Sequence, residues 1–259
     1  MTTGADGSPE TGVIKNDDIV ISPQIQNAIG LRKTIDRAKE IEKERSVSRP
    51  NELPAQRRKH AIASSVIETT KELALKDSLT GLHNRTWFED DLDIRISTAA
   101  RNKTPLYVVY MDFDDFKDYN TIYDHSGGDA VLRLASDISS RPDETLSRFG
   151  GDEFIQSIEH ENLTQDEIRL MLKRYQEIMY TKSRELLPQL PIIQGTEPDA
   201  IKNDVTLTFG IAKYEGETRD ELIRKANLAM HHAKKLGKNT AFIAERNLNS
   251  EEYNFTQIN

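Results

Sequence analysis

The sequence predicts an α+β domain in which helices flank a mostly antiparallel central sheet, carried behind an amino-terminal helical extension. Three observations predict it. From residue 77 onward the patterns follow in the order helix, strand, helices, hairpin, helix, strand, helix, strand, which suits a sheet covered by helices. Residues 106–113 form one nearly unbroken apolar run, the mark of a central strand buried on both faces. Two further strand-like runs, 145–149 and 153–158, flank Gly150-Gly151, a hairpin signal.

The 259 residues suffice for one medium domain with an extension, or for two small domains. Hydrophobic residues make up 36% and charged residues 30%, a globular balance short of a disorder signature. Lys and Arg number 35 against 43 Asp and Glu, a net charge of −8, so the surface as a whole repels polyanions. Neither nucleic acid nor a membrane is therefore an expected partner. Cysteine is absent, which excludes disulfides, thiolate zinc sites and a cysteine nucleophile. Residues 1–12 carry acids where a signal peptide would carry Lys or Arg, and no apolar run approaches the ~20 residues that span a bilayer. A cytoplasmic location is the expectation.

Taken in order, residues 1–22 are rich in Gly, Ser, Thr, Asp and Pro and read as a flexible tail. Residues 23–76 read as a helical dimerisation or signalling segment. Ile25, Ala28, Leu31, Ile35, Ala38 and Ile41 recur at threes and fours, prolines break the pattern near residues 50–54, and a second helix follows with Ile62, Val66 and Leu73 near heptad spacing. The stripe is too short to decide between a dimer seam and packing on the chain's own domain.

Asn84 is an N-cap for a helix ending near residue 101. After the 106–113 strand come a short helix over 114–123, a glycine-bearing turn, and a helix over 128–140. The hairpin is followed by a long helix over 165–186, an irregular stretch, a strand over 205–214, and a helix from 219 that ends at Gly237. A last strand spans about 240–244, and residues 246–259 read as a carboxy-terminal tail.

Chemistry concentrates where strands end. Asp112 and Asp114 close the central strand, and Asp152 and Glu153 sit in the hairpin turn. Carboxylates are natural Mg²⁺ ligands, and Mg²⁺ usually keeps waters and substrate phosphates in its shell. One acid from each of two adjacent strands can hold metal across a triphosphate, where it would stabilise the charge that develops in phosphoryl transfer. Each piece alone is ordinary, since acids flank turns everywhere and Gly-Gly is a common hairpin turn.

The combination is not ordinary. Arg148-Phe-Gly-Gly-Asp-Glu-Phe154 resembles the signature that names the GGDEF family of diguanylate cyclases. Asp77-Ser-Leu-Thr-Gly-Leu-His-Asn-Arg85 is similar to that family's DxLTGLxNR segment, and Asp112-Phe-Asp-Asp-Phe-Lys-Asp-Tyr-Asn120 to its DxDxFKxxN segment. His125-Ser-Gly-Gly-Asp129 resembles HxxGD, residues 205–212 the late strand, and Ala233-Lys-Lys-Leu-Gly-Lys-Asn239 the closing AKxxGRN.

The resemblance implies a nucleotidyl cyclase palm, related to ferredoxin-like folds, over residues 77–245. It implies condensation of two GTP into cyclic di-GMP with release of two pyrophosphates across a homodimer. Two Mg²⁺ per site, for which Mn²⁺ may substitute, would be held by Asp112, the Phe113 carbonyl and Asp152. Asp152 is also the family's candidate acceptor of the ribose 3′-proton, although a metal-bound carboxylate is a poor base. Glu153 would be a further ligand or support the ligands from behind.

Asn120 and Asp129 would read guanine, whose paired N1–H and N2–H₂ donors suit a carboxylate; adenine lacks that pair. His125 would contact substrate. Lys117 would act catalytically on the transition-state phosphates, and Lys234 and Lys238 would bind phosphate, since no GxxxxGK[ST] loop is present.

Some positions depart from the family pattern. Thr121 follows Asn120, Asp124 replaces the glycine before His125, and Asn227 and His231 replace Asp and Tyr. Asp tolerates a left-handed backbone better than most residues, so the turn at Asp124 is expected to survive. The RxxD inhibitory motif reads Arg141-Pro-Asp-Glu144 here, so product inhibition at Arg141 and Glu144 is expected to be weak or altered. A catalytically silent nucleotide receptor and a cyclase of broader specificity, making cyclic GMP–AMP, are the alternative functions.

Overall fold

The computed structural model describes residues 60–66, 70, 73–138, 145–161, 163–197, 203–247 and 252–258. The expectations for residues 1–59, and for the Arg141 and Glu144 pair, lie outside the described residues. The chain divides into two compact units, Met1–Ala74 and Leu75–Asn259. In the first, residues 60–66 are helical.

In the second unit the elements run β1 (His83–Asn84), α1 (Arg85–Asn102), β2 (Leu106–Phe113), α2 (Phe116–Arg133), α3 (Ala135–Ile138), β3 (Leu146–Gly150) and β4 (Glu153–Glu159). They continue with α4 (Gln165–Leu186), a 3₁₀ turn (Leu187–Gln189), β5 (Leu207–Lys213), α5 (Arg219–Lys235), β6 (Ala241–Arg246) and β7 (Tyr253–Gln257). The seven strands form one mixed sheet in the order β1-β3-β4-β2-β5-β6-β7. Pairs β1–β3 and β5–β6 are parallel; β3–β4, β4–β2, β2–β5 and β6–β7 are antiparallel.

Strand β2 lies at the centre and all eight of its residues are buried. Alternation sends Tyr107, Val109, Met111 and Phe113 into a core shared with α2, α3 and α4. Leu106, Val108 and Tyr110 face the opposite way, into a core built with Phe88 and Leu92 of α1 and Leu222, Ala226 and Met230 of α5. Both faces are covered, which is why this strand reads as a continuous apolar run rather than an alternating one.

Local signals set the helix starts. Asn84 Oδ1 accepts the Trp87 N–H at 3.1 Å at the head of α1. Thr164 with Glu167 and Thr218 with Glu221 close reciprocal capping boxes on α4 and α5.

The structure corrects the sequence reading in three places. Helix α2 runs through the expected turn with a kink at Asp124, and continues only to Arg133 before the short α3. Asp124 has φ 61° and ψ −175°, which is not the left-handed helical well expected for it but a region otherwise used almost only by glycine. Its carboxylate accepts the N–H groups of Ser126 at 2.5 Å and Gly127 at 3.3 Å, so the side chain caps the second half of the helix. The Ser126 side chain, and then those two N–H groups, hold the Asp124 carboxyl below the usual range.

Third, residues 253–257, read as tail, pair with β6 as the edge strand β7. Phe255 stacks on His232 of α5 with ring centroids 4.4 Å apart, and His232 meets Phe242 edge-on at 5.1 Å.

Candidate active site

The site is built at the carboxyl end of β2. The antiparallel register sets Asp112 opposite Glu153 on β4 and opposite Thr208 on β5, so the three side chains stand on one face of the sheet. Asp152 precedes Glu153 in the hairpin, and its carbonyl accepts the Phe113 N–H at 3.3 Å. The acids of the central strand and of the hairpin, 40 positions apart in the chain, therefore arrive at one place.

Asp112 is only 5% exposed. Burial pushes its carboxyl up to about 6; the Lys234 ammonium opposes this, and the neighbouring charges of Asp152 and Glu153 add to it. Lys234, on the last turn of α5, donates to Asp112 Oδ1. Phe113 is buried, so its carbonyl is the part of it that can serve a metal.

The described residues hold no group of three or more His, Asp or Glu side chains arranged to cage an ion. A Mg²⁺ ion here would take two carboxylates and a carbonyl from the chain and complete its shell with phosphate and water. A dense local negative charge, balanced by one lysine, is the feature that fits the cation.

Asp114, two residues further on, does different work. It is 3% exposed, and its carboxylate accepts Thr208 Oγ1 at 2.6 Å, Thr206 Oγ1 at 2.8 Å and the Asn239 N–H at 2.9 Å. These bonds tie the end of β2 to β5 and to the turn after α5. That turn passes through three successive residues of positive φ: Gly237 at 131°, Lys238 at 63° and Asn239 at 44°. Lys238 reaches Asp115 at the head of α2.

Asp114→Ala is therefore expected to leave three donors without their acceptor. It should lower unfolding stability by about 2–4 kcal/mol in a urea titration.

Arg148 clamps the hairpin. Its Nε and Nη2 donate to the Gly151 carbonyl at 2.9 and 2.7 Å, and its Nη1 lies 3.2 Å from both oxygens of Asp77. Gly151 has φ 54°, so the turn before Asp152 uses the freedom of glycine. Burial works against ionisation of Asp77, but hydrogen bonds from Thr80 and the Arg148 guanidinium hold its carboxyl below the usual range. Behind Asp112, the Tyr110 hydroxyl lies near Glu153 and Asn227.

The remaining site residues lie along α2. Lys117 is exposed on its first turn. Asn120 is half-buried, with its carboxamide pressed against Gly128: a Cβ on that glycine would meet Asn120 Oδ1 at 2.0 Å. The kink thereby brings Gly128, the residue before Asp129, against Asn120. His125 is exposed beside the kink. Asp77 and Arg148 are not singled out from the sequence as site residues, although both stand within the family-like motifs; Asp114, named there among the strand-end acids, is taken up by hydrogen bonds within the fold.

Residues 74–240 match the family described as diguanylate cyclase, GGDEF domain. The chain belongs to this family. The chain is 32% identical over 211 residues to the bifunctional diguanylate cyclase/cyclic di-GMP phosphodiesterase MucR of Pseudomonas aeruginosa, a match that covers 78% of this chain and 28% of MucR. It is 29% identical over 187 residues to the probable diguanylate cyclase DgcT of Escherichia coli, covering 70% of this chain and 38% of DgcT. The chain spans well under half the length of either relative.

Among solved structures, the coiled coil and GGDEF domain of DgcB from Caulobacter crescentus, in complex with c-di-GMP, superposes with TM-score 0.58 at 23% identity. That match covers 83% of this chain and 100% of the other. The shared fold is the α+β cyclase palm. Among the described residues no helix is long and apolar enough to cross a membrane.

Proposed function

We propose that this GGDEF domain condenses two GTP into cyclic di-GMP. The observation that carries the proposal is the meeting of Asp112 and Asp152 at the ends of β2 and β4, beside Lys234. Asp112, the Phe113 carbonyl and Asp152 would hold two Mg²⁺. Bound there, the metal would neutralise phosphate charge and lower the pKa of the attacking hydroxyl.

The chain's own groups do the rest. Asn120 and Asp129 orient guanine, so ATP is rejected by leaving the Asp129 carboxylate unpaired. His125 contacts the nucleotide at the kink. Lys234 and Lys238 bind phosphate, and each is already held near the site by an aspartate. Lys117 stabilises the charge on the reacting α-phosphate and the departing pyrophosphate.

Each GTP offers its 3′-oxygen to the α-phosphorus of the other. A new P–O bond forms, the α–β anhydride bond breaks, and pyrophosphate leaves with its electron pair. The 3′-proton passes to Asp152 or to water. Two such steps close the ring, so two domains face each other about a two-fold axis, with residues 23–76 as the dimerising or signal-receiving element. A reaction that consumes GTP belongs in the cytoplasm.

Mg²⁺ must displace a proton from Asp112 wherever that carboxyl is neutral. Apparent Mg²⁺ affinity, followed by calorimetry, is expected to be flat above pH 7 and to fall about tenfold per pH unit below the Asp112 midpoint near 6. An affinity that does not change between pH 7.5 and pH 5 would remove Asp112 from the ligand set. Supplying ATP and GTP together tests the base-reading assignment: cyclic di-GMP alone is expected, and a mixed dinucleotide would contradict it.

A further inference from the structure

The kink in α2 leaves a carbonyl to satisfy. In an unbroken helix the Ile122 carbonyl would accept the N–H of Ser126, four residues on. Here Asp124 takes the Ser126 N–H on its own carboxylate at 2.5 Å, so the first half of the helix ends with that carbonyl unclaimed from within. The donor comes from far along the chain: the Ile193 N–H reaches the Ile122 carbonyl at 2.9 Å.

A second bond joins the same two segments. The Tyr119 hydroxyl, on a side chain 2% exposed, donates to the Asp204 carbonyl at 2.7 Å. Leu190 packs close to Gly127, 3.8 Å from where a Cβ would stand. Leu190, Ile193 and Asp204, all between α4 and β5, thus meet α2 on both sides of Asn120. Ile193 keeps 43% of its surface exposed, so what it brings to this contact is its backbone N–H more than buried apolar area.

We propose that the segment between α4 and β5, through the Ile193 N–H and the Asp204 carbonyl, is a positioning brace for the guanine-reading helix. It sets the pose of Asn120 and thereby the affinity for the base, with little bearing on the phosphate chemistry at Asp112 and Asp152. The brace rests on the proposed binding of GTP at Asn120.

The test compares Ile193→Pro, which removes the N–H, with Ile193→Ala, which keeps it, and with Tyr119→Phe, which removes only the hydroxyl. Binding of a non-reacting α,β-methylene analogue of GTP with Mg²⁺ is followed by calorimetry, and rate is measured at saturating GTP. Ile193→Pro and Tyr119→Phe are each expected to weaken binding about 5-fold or more and to leave the saturating rate within about 2-fold, because misplacement acts on recognition. They should also narrow the preference for GTP over ITP, which lacks the exocyclic amine. Ile193→Ala should bind like the wild type.

Melting curves report whether each variant folds, and Tyr119→Phe carries the test should Ile193→Pro fail to fold. Unchanged binding in folded Tyr119→Phe would overturn the brace while leaving the functional reading intact. Absence of analogue binding by the wild type would overturn both.

Discussion

Asp112→Asn is expected to lower the rate of cyclic di-GMP formation by about a thousandfold or more, while making the metal-free protein more stable at neutral pH. The two effects share one cause. In the fold Asp112 lies within reach of the charges of Asp152 and Glu153 with Lys234 as counter-charge, and burial has raised its carboxyl from 3.8 to about 6. A raised acid means that the folded state resists ionisation. Stability is therefore lost as pH rises from about 4 to about 6, and the loss is complete above that range.

The displacement corresponds to roughly 3 kcal/mol at neutral pH, an order-of-magnitude figure. Asparagine keeps the shape without the charge, and Lys234, 26% exposed, can turn to water. Urea unfolding of chelator-treated protein at pH 7.5 should show the variant more stable by about 1–3 kcal/mol, and the difference should vanish near pH 4. A variant that is both inactive and less stable at pH 7.5 would mean that Asp112 serves the fold instead of the metal. Here stability is set aside where charge is gathered for function.

The largest expected effect on stability is at Gly210, in the middle of β5. Helix α5 crosses the sheet there with its backbone against the strand. A Cβ on residue 210 would stand 2.1 Å from the Met230 nitrogen and 2.2 Å from the Ala226 carbonyl oxygen. Both are helix backbone atoms, so no side-chain rotation relieves the overlap, and α5 must lift from the sheet. Gly210→Ala is expected to cost about 3–5 kcal/mol in urea unfolding. Because α5 also carries Lys234, whatever protein remains folded should show weakened nucleotide binding. A loss below about 1 kcal/mol would mean that the helix does not press its backbone on the strand.

Much of this was legible in the sequence, for physical reasons that differ by element. The α4 and α5 starts were readable because capping boxes are local chemistry, with donor and acceptor three residues apart. Strand β2 was readable because burial on both faces leaves no polar position along it until Asp112. The meeting of Asp112 with Asp152 could be proposed because each acid stands at a strand end in a recognisable motif.

Contacts made across the sheet could not be read. Asp112 and Asp114 look alike in the chain, two acids at the end of one strand. Only Thr206, Thr208 and the Asn239 N–H, donated from elements about 90 to 125 positions away, make the second a structural hub. The Lys234–Asp112 pair spans 122 positions and the Arg148–Asp77 pair 71, and no local pattern reports such partners.

Strand β7 left a weak signal in the alternation of Tyr253 and Phe255. Five residues, three of them polar, do not make a strand without β6 and the His232 stack to receive them. At Asp124 the chain accepts an unfavourable backbone because its own carboxylate caps the second half of α2. That exchange depends on the kink geometry rather than on residue type.

On the reading proposed above, Asp112 and Asp152 together make this domain a cyclase acting on GTP. The most direct measurement is mass-spectrometric identification of the nucleotide product after the full chain is incubated with GTP and Mg²⁺, wild type beside Asp152→Ala. The expected result is cyclic di-GMP with two pyrophosphates per ring from the wild type and none from the variant. Binding of GTP by a folded wild type that returns it unchanged would contradict the account and make the chain a nucleotide receptor.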